Sequence, residues 1–334
     1  MGNTFHIQWH ITDRCNLRCR HCYQDNFTSK DELSFASLKR IFTNIVEFAE
    51  DRGQKIVIDI TGGEPLLYKP WRDLLSLIYH HTAVKKTGII TNGFFLDNEN
   101  LKFLEGFKNL QIKVSAEGVS KEMFELFRGK DNHKIFTMMC KRLKEALPEN
   151  EKILMFTLTK ENIKEVPHLF NFITEYNFNS FILERFISWG RGKQIYNSVI
   201  SVSEWAETIR TLCNKCDVEE DLISLAQYRG FMVRQDKECG FSLFGAPCII
   251  GVDGIAVMPD GTVFPCRRLP LSIGKLTENS LKDIWEHSDI LKNLTSSPLK
   301  GKCKNCKIRN CRGCRALAYS ITGDLLEEDP VCCL

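Results

Sequence analysis

The sequence has no long hydrophobic run and no strong excess of charge of one sign. Its apolar stretches are shorter than the roughly 20 residues of a membrane-spanning helix, and its N-terminus lacks the basic-then-apolar order of a secretory signal. The 45 Lys and Arg residues are nearly balanced by 42 Asp and Glu residues and are scattered among them, which argues against a nucleic-acid-binding surface. We expect a cytoplasmic protein that binds neither membranes nor nucleic acid.

Internal repeats, low-complexity tracts and long linkers are also missing from the sequence. The 334 residues, of which 43% are hydrophobic, suffice for one large or two modest domains with a proper core. Cysteine, in contrast, is abundant, with 15 residues. Because a reducing compartment disfavours disulfides, clustered thiols in such a protein are better interpreted as metal ligands.

Three cysteines lie close together near the start of the chain. Cys15, Cys19 and Cys22 have the spacing C-x3-C-x2-C. Thiols so spaced on one loop can reach three irons of a single four-iron cluster and leave the fourth iron without a protein ligand. A structural zinc site needs a fourth ligand, and no second cysteine pair follows within the next hundred residues. The spacing therefore indicates a cluster with one open iron.

Short apolar segments alternate with amphipathic stretches up to about residue 217. The predicted strands are residues 5–12, 55–60, 87–91, 110–115, 153–159 and 181–187, with helices predicted at 71–81 and 166–176 among others. Strands that alternate with helices predict a parallel sheet. Because eight such units close a full barrel, six units predict an α/β fold with an open, partial (β/α)6 barrel, whose chemistry lies past the C-terminal ends of the strands.

A second motif, Thr61-Gly62-Gly63-Glu64-Pro65, follows the second predicted strand, as the cysteine loop follows the first. Together the two motifs resemble those of the radical S-adenosylmethionine (radical SAM) enzymes. The resemblance implies a TIM-like partial barrel with a 4Fe-4S cluster on Cys15, Cys19 and Cys22. The open iron would chelate S-adenosylmethionine (SAM), whose cleavage yields a 5'-deoxyadenosyl radical that abstracts a hydrogen atom from the substrate.

The resemblance also implies a set of SAM-binding residues. Glycines let the backbone approach the nucleotide, a glutamate accepts hydrogen bonds from its amino group, and an arginine pairs with its carboxylate. The residues predicted for these roles are Gly62, Gly63, Glu64, Asn92, Ser115 and Arg128. A turn at Asn92 and a solvated Arg128 are the alternatives. Glu117 occupies a position where relatives more often carry Asp, so its role is open.

The sixth predicted strand ends in Glu184-Arg185, followed by Gly190-Arg191-Gly192. Similar Gly-Arg-Gly turns occur in radical SAM relatives that carry an extra cysteine-rich domain. Arg191 between two glycines could bind a carboxylate or a ribose. We expect Glu184 and Arg185 to form an ordinary ion pair with each other.

Beyond residue 235 helical periodicity fades, and nine of the fifteen cysteines lie from Cys239 onward. Pro259-Asp260-Gly261 predicts a hairpin turn between Cys248 and Cys266. We expect a second domain, residues 235–334, that packs directly on the first, residues 1–234. Its composition suggests that bound metal supplies stability that a small apolar core cannot.

The C-terminal cysteines resemble the SPASM domain of radical SAM enzymes, although the run C-x2-C-x4-C-x2-C is two residues shorter than in that family. The resemblance implies two auxiliary iron-sulfur clusters, of the 4Fe-4S type. The first would use Cys248, Cys266 and Cys314, with Cys239 as a possible fourth ligand. The second would use Cys303, Cys306, Cys311 and Cys332. Cys333 could replace Cys332, one iron could stay open for substrate, or the paired cysteines could instead bind zinc.

Three further cysteines, Cys140, Cys213 and Cys216, are expected to be buried structural thiols. A thiol near the active site could alternatively donate a hydrogen atom to a substrate radical, as an epimerase would require.

Many SPASM relatives modify ribosomally made peptides by cross-linking, thioether formation or epimerisation, and a peptide substrate is our first expectation. The chain starts close to its first strand, which suggests that it lacks the leader-peptide-binding domain of many maturases. Oxidation or decarboxylation of a small molecule is the alternative, and a non-catalytic metal-binding scaffold is a third. The resemblance also implies a flavodoxin or ferredoxin-type electron donor.

Overall fold

The computed structural model describes residues 3–236, 240–308 and 310–334, so Cys239 lies outside the described residues. The strands are β1 (Thr4–His10), β2 (Lys55–Thr61), β3 (Val84–Thr91), β4 (Gln111–Ser115), β5 (Glu151–Leu158), β6 (Ser180–Arg185), β7 (Gly230–Asp236), β8 (Gly240–Gly245), β9 (Gly254–Val257), β10 (Thr262–Phe264) and β11 (Gly274–Lys275). Within the described residues they form a single sheet in the order β11-β10-β9-β1-β2-β3-β4-β5-β6-β7-β8.

The six predicted strands correspond to β1–β6, which pair in parallel and in sequence order. The helices are α1 (Phe35–Asp51), α2 (Trp71–Tyr79), α3 (Asn98–Leu104), α4 (Lys121–Arg128), α5 (Asn132–Ala146), α6 (Val166–Glu175), α7 (Val202–Lys215), α8 (Leu222–Leu225), α9 (Leu281–His287), α10 (Asp289–Ser296), α11 (Gly301–Lys304) and α12 (Arg315–Thr322). The mixed α/β fold with a partial barrel is therefore confirmed, and the two predicted helices that we specified are α2 and α6.

Alternation along β1 separates the outer core from the barrel interior. Phe5, Ile7 and Trp9 are almost fully buried in the hydrophobic core, while His6 and Gln8 line an internal cavity. Successive strand residues face opposite sides of a sheet, so every second residue of β1 is available to the cavity. Ser34 caps the N-terminus of α1, and its hydroxyl accepts a hydrogen bond from the Ser37 backbone N–H.

The C-terminal third of the chain joins the same sheet. Between β8 and β9 the chain crosses from one edge of the barrel sheet to the other, and β9 then pairs in parallel with β1. The predicted hairpin is confirmed: β9 and β10 are antiparallel, and Gly261 turns the chain with a φ of 86°. Trp285 of α9 packs against Phe5, with ring centroids 5.4 Å apart. The C-terminal segment thus shares the barrel core.

The boundary predicted between residues 234 and 235 falls within β7, and the division into two domains stays a prediction. Among the helices formed by the described residues, none is long and apolar enough to cross a membrane. The predicted structural thiols Cys140, Cys213 and Cys216 are all buried, in α5, in α7 and directly after α7.

Candidate active site

A cavity of about 430 Å³ lies inside the partial barrel. It is lined by all three cysteines of the N-terminal loop and by side chains from β1 to β6. The C-terminal segment supplies Ile249, Cys266 and Arg267 to the same cavity. We call this cavity the chamber. Its position agrees with the rule that parallel α/β folds place their chemistry near the C-terminal ends of the strands.

The loop that carries the three cysteines is held by two glycine-containing segments. The Gly63 N–H donates to the Thr12 carbonyl at 2.8 Å and the Glu64 N–H donates to the Arg14 carbonyl at 2.7 Å. A Cβ atom on Gly63 would lie 2.4 Å from the Arg14 carbonyl oxygen, so only glycine permits this approach. The predicted Gly62-Gly63 motif therefore fixes the start of the cysteine loop.

The Gly190-Arg191-Gly192 turn holds the far end of that loop. The Gly192 N–H donates to the Cys22 carbonyl at 2.9 Å, and a Cβ atom on Gly190 would lie 2.5 Å from the Tyr23 backbone. Arg191 Nε donates to the Cys19 carbonyl at 3.4 Å. The turn thus contacts the cysteine loop, and the Arg191 guanidinium bonds its backbone.

Burial raises the pKa of all three loop thiols, and that of Cys19 reaches about 12. Such thiols stay protonated in water-free surroundings but lose the proton when a metal ion binds. Three thiols that line one cavity, with no fourth protein ligand predicted, fit a four-iron cluster with an open iron. The cysteine loop therefore has the donor set that the implied cluster requires.

Glu64 links the Gly-Gly motif to the end of β3 and does not itself line the chamber. Its carboxylate accepts hydrogen bonds from the Asn92 N–H at 2.8 Å and from the Thr91 hydroxyl at 2.8 Å. Asn92 Nδ2 in turn donates to Asn16 at 2.8 Å and contacts Cys15 Sγ at 3.7 Å. Burial raises the pKa of Glu64 to about 7, against the lowering effect of these hydrogen bonds. Glu64 and Asn92 thus position the cysteine loop, and their binding of SAM stays a prediction.

Arg128 forms a buried ion pair with Glu117 on the wall of the chamber. Arg128 Nε and Nη2 donate to Glu117 at 2.6 and 3.1 Å, and His21 Nε2 lies 3.1 Å from the same carboxylate. Burial alone would raise the pKa of Glu117, but Arg128 and His21 outweigh it and lower that pKa to about 2. Arg128 and Ser115 both line the chamber, and their contacts with SAM stay a prediction.

Some of the C-terminal thiols lie near enough to influence one another electrostatically. Burial raises the pKa of Cys311, and the nearby charges of Cys306 and Cys303 raise it further. Burial also raises the pKa of Cys314, with Cys248 close enough to contribute. Among the described Cys, His, Asp and Glu side chains, no three converge on a point where a single metal ion could sit. The assignment of individual ligands, including Cys239, Cys332 and Cys333, stays a prediction.

Two protein-family models match this chain. The model of the radical SAM superfamily matches residues 9–173. A second model, SPASM, described as an iron-sulfur cluster-binding domain, matches residues 248–315. The chain belongs to the radical SAM enzymes with a SPASM domain. A radical SAM domain and an iron-sulfur SPASM domain are thus present, which supports SAM and iron-sulfur clusters as the cofactors.

Several named proteins are similar to this chain over nearly its whole length. An AdoMet-dependent heme synthase of Methanosarcina barkeri is 27% identical over 98% of this chain and 95% of its own length. The antilisterial bacteriocin subtilosin biosynthesis protein AlbA of Bacillus subtilis is 24% identical, over 92% of this chain and 64% of its own. The mycofactocin maturase MftC of Mycolicibacterium smegmatis is 24% identical, over 98% and 82%. These relatives include enzymes named for peptide products and for heme.

Solved structures support the fold. SuiB of Streptococcus suis, bound to its precursor peptide SuiA, superposes with a TM-score of 0.73 at 16% identity, covering 99% of this chain and 76% of SuiB. The enzyme anSMEcpe with bound AdoMet and a peptide superposes equally well, at 20% identity over 98% of this chain and 94% of its own. At such identities the likeness establishes the shared radical SAM fold.

The prediction that Glu184 and Arg185 form an ion pair with each other was wrong. Neighbouring residues on a strand point to opposite faces, and each of the two pairs with a residue of the C-terminal segment instead. Glu184 binds Arg268 at 2.9 Å, and Arg185 binds Asp329 at 2.9 Å. β6 therefore contacts the C-terminal segment of the chain through two ion pairs.

The sequence reasoning missed several residues of the chamber. Asp59 of β2 binds Lys113 of β4 at 2.7 Å across Gly88 of β3, and both partners line the chamber. Arg267 and Arg268 line it as well, directly after Cys266. The position of the two arginines beside a predicted cluster ligand was the only sequence feature that could have identified them.

Proposed function

We propose that this enzyme abstracts a hydrogen atom from a small polar molecule held in the chamber. The observation that carries the proposal is the chamber itself, because one cavity joins the three loop thiols, Cys266 of the SPASM region and a wall of charged side chains. When bound, the cluster and SAM supply the radical that removes the hydrogen atom. The chain's own residues orient the substrate and keep water and oxygen away.

The shape of the chamber supports a small substrate. Residues 246–253 cross the open side of the barrel, and Ala246, Ile249 and Ile250 of this segment line the cavity. The heme synthase of M. barkeri, which this chain matches at 95% of that protein's length, supports a substrate of this kind. Enclosure by the chain's own backbone favours a compact molecule over a long one.

A peptide substrate is the second candidate. The similarity to AlbA and MftC, at 24% identity each, favours it. In that case one side chain or one end of the peptide would enter the chamber while the rest stays outside. The two candidates differ in the size of the molecule that stimulates turnover.

The decisive experiment measures 5'-deoxyadenosine formed by anaerobically reconstituted, reduced protein. Host extract is divided by ultrafiltration, and each fraction is added separately. Stimulation by the filtrate supports a small-molecule substrate, while stimulation by the retained fraction alone would refute it in favour of a peptide or protein. Product formation should disappear when Cys15, Cys19 and Cys22 are all changed to Ala. The matched control is Cys140→Ala, which removes a buried thiol of α5 and should retain activity.

A further inference from the structure

The charges on the chamber wall do not balance. Its cationic residues are Lys113, Arg128, Arg185, Arg229, Arg267 and Arg268. Four of them have a carboxylate partner within 3 Å. The pairs are Lys113 with Asp59, Arg128 with Glu117, Arg185 with Asp329, and Arg268 with Glu184. For Arg229 and Arg267 the described part of the chain offers no carboxylate within ion-pair distance. Among the residues that the structure describes, these two guanidinium groups of the wall therefore form no ion pair with a carboxylate.

Arg267 is the more deeply buried of the two. It is only 7% exposed, and its Nε atom has no hydrogen-bond partner among the described residues. Its guanidinium lies 4.2 Å from the centroid of the Tyr23 ring, directly after Cys22 in the loop. A buried guanidinium nitrogen without a partner is costly, which indicates that something absent from the protein chain completes the site.

Asp13 is near enough to interact with Arg267 through space, but its carboxylate is not within ion-pair distance of the guanidinium. The ring of His10, which is also near Arg267, is fully buried, and burial together with Arg267 keeps its pKa well below the usual value. Neither neighbour therefore forms an ion pair with Arg267.

Arg229 also lines the chamber. Its Nη1 atom donates to the Ala246 carbonyl at 3.2 Å, which fixes the side chain. The next residue, Gly230, pairs with Glu184 in the sheet, and Glu184 binds Arg268, the neighbour of Arg267. Arg229 and Arg267 are thus two cationic residues of the same cavity wall.

We infer that Arg267 and Arg229 form a subsite for an oxyanion of the substrate, a carboxylate or a phosphate. Guanidinium groups present fixed pairs of donors that match both anions. The inference rests on the proposed function only in taking the occupant to be the substrate. It makes Arg267 and Arg229 specificity-determining residues that select anionic molecules.

The competing explanation is that Arg267 balances the charge of the N-terminal cluster or binds the carboxylate of SAM. Arg267 is close enough to Cys22 to affect its pKa, so both alternatives predict measurable effects. Loss of positive charge would then change the midpoint potential of that cluster or the affinity for SAM. Neither effect requires a substrate subsite.

The test is calorimetric titration of reconstituted, unreduced protein saturated with SAM, with glutarate and propyl phosphate as probes and dimethyl glutarate as the uncharged control. We expect the wild type to bind at least one anion and not the ester. Arg267→Gln and Arg229→Gln should weaken binding at least about tenfold, the loss of one charge-assisted contact. Arg267→Lys should retain part of it. The control is Arg210→Gln, on the surface of α7 with Glu207 and Glu220, which should bind normally.

Three outcomes would overturn the inference. The first is an Arg267→Gln variant that binds the anion normally. The second is an Arg267→Gln variant that loses affinity for SAM, or shifts the potential of the cluster, while its anion binding is unchanged. The third is a wild-type protein that binds neither probe at millimolar concentration. Comparison of the two probes identifies the anion. Since no turnover is involved, failure here can be told apart from failure of the proposed function, which is measured by 5'-deoxyadenosine.

Discussion

Arg185 and Asp329 form an ion pair with two hydrogen bonds between the end of β6 and the C-terminal segment. The Nη1–Oδ1 and Nη2–Oδ2 distances are 3.2 and 2.9 Å, and both side chains are only 4% exposed. Asp329 also accepts hydrogen bonds from the backbone N–H groups of Cys314 and Val331. One carboxylate therefore connects the barrel to a predicted ligand of the first auxiliary cluster.

We expect Asp329→Ala to destabilise the protein by about 3–5 kcal/mol, because Arg185 would remain buried without its partner. The same change should lower the iron and sulfide content of the SPASM region, since the Cys314 N–H loses its acceptor. Urea unfolding and iron analysis measure the two effects. The control is Asp324→Asn, which disrupts a solvent-exposed pair with Lys300 and should change neither. An unchanged midpoint in Asp329→Ala would contradict the structural role.

The second prediction concerns the stability of the Glu117–Arg128 pair at low pH. The pKa of Glu117 is lowered to about 2 in the fold, below the value of about 4.3 of an unfolded chain. Its contribution is therefore fully present above the unfolded value and is lost as the pH falls toward 2. Glu117→Gln should cost about 3–5 kcal/mol at neutral pH and remove this part of the acid dependence. Urea titrations of metal-free protein between pH 3 and 7 measure both.

Two variants make that measurement specific. Glu207→Gln, which removes an exposed partner of Arg210, should leave the pH profile of the wild type unchanged. Arg128→Met combined with Glu117→Gln should recover part of the lost stability, because no unpaired charge is then buried. If the double variant were as unstable as the sum of the two single variants, the pair would not be coupled.

Features encoded by local pattern could be predicted from the sequence. The six barrel strands follow from short apolar runs between amphipathic helices, and the position of Cys15, Cys19 and Cys22 follows from their spacing. Contacts between distant segments could not be predicted. Arg185 lies 144 residues from Asp329 and Glu184 lies 84 residues from Arg268, and no periodicity links such positions. The nearest opposite charge in the sequence therefore suggested the wrong partner.

The sequence also could not reveal where the C-terminal segment packs. For this reason the segment was expected to form a separate domain that bound metal stabilises. Its composition is poor in helical periodicity, but β9 adds to the barrel sheet beside β1, and α9 packs on the outer core. Pairing between strands nearly 250 residues apart depends on the path of the crossing segment, which composition does not reveal. The aliphatic side chains of the segment thus pack into the same hydrophobic core that contains residue 5.

The third prediction tests the contact between the Gly-Gly motif and the cysteine loop. A Cβ atom on Gly63 would lie 2.4 Å from the Arg14 carbonyl and 2.6 Å from the Asp13 carbonyl. Because both atoms are backbone, Gly63→Ala must displace the loop, at a cost of about 1–3 kcal/mol. We expect the iron of the N-terminal cluster to fall several-fold, measured by iron analysis and electron paramagnetic resonance. Gly106→Ala has ordinary contacts, the nearest at 3.5 Å, and should retain the cluster.

The last prediction concerns the ion pair inside the barrel. Asp59 of β2 reaches Lys113 of β4 past Gly88, and a Cβ atom on Gly88 would lie 2.1 Å from Asp59 Oδ1. Gly88→Ala should therefore force the carboxylate away from Lys113 and destabilise the protein by about 1–3 kcal/mol. Asp59→Asn removes the same ion pair by a different route, so the two changes should be non-additive. A double-mutant cycle by urea unfolding measures the coupling. If the losses of stability in the two single variants simply added up in the double variant, Gly88 would be needed for packing alone. Its missing side chain would then have no part in the ion pair between Asp59 and Lys113.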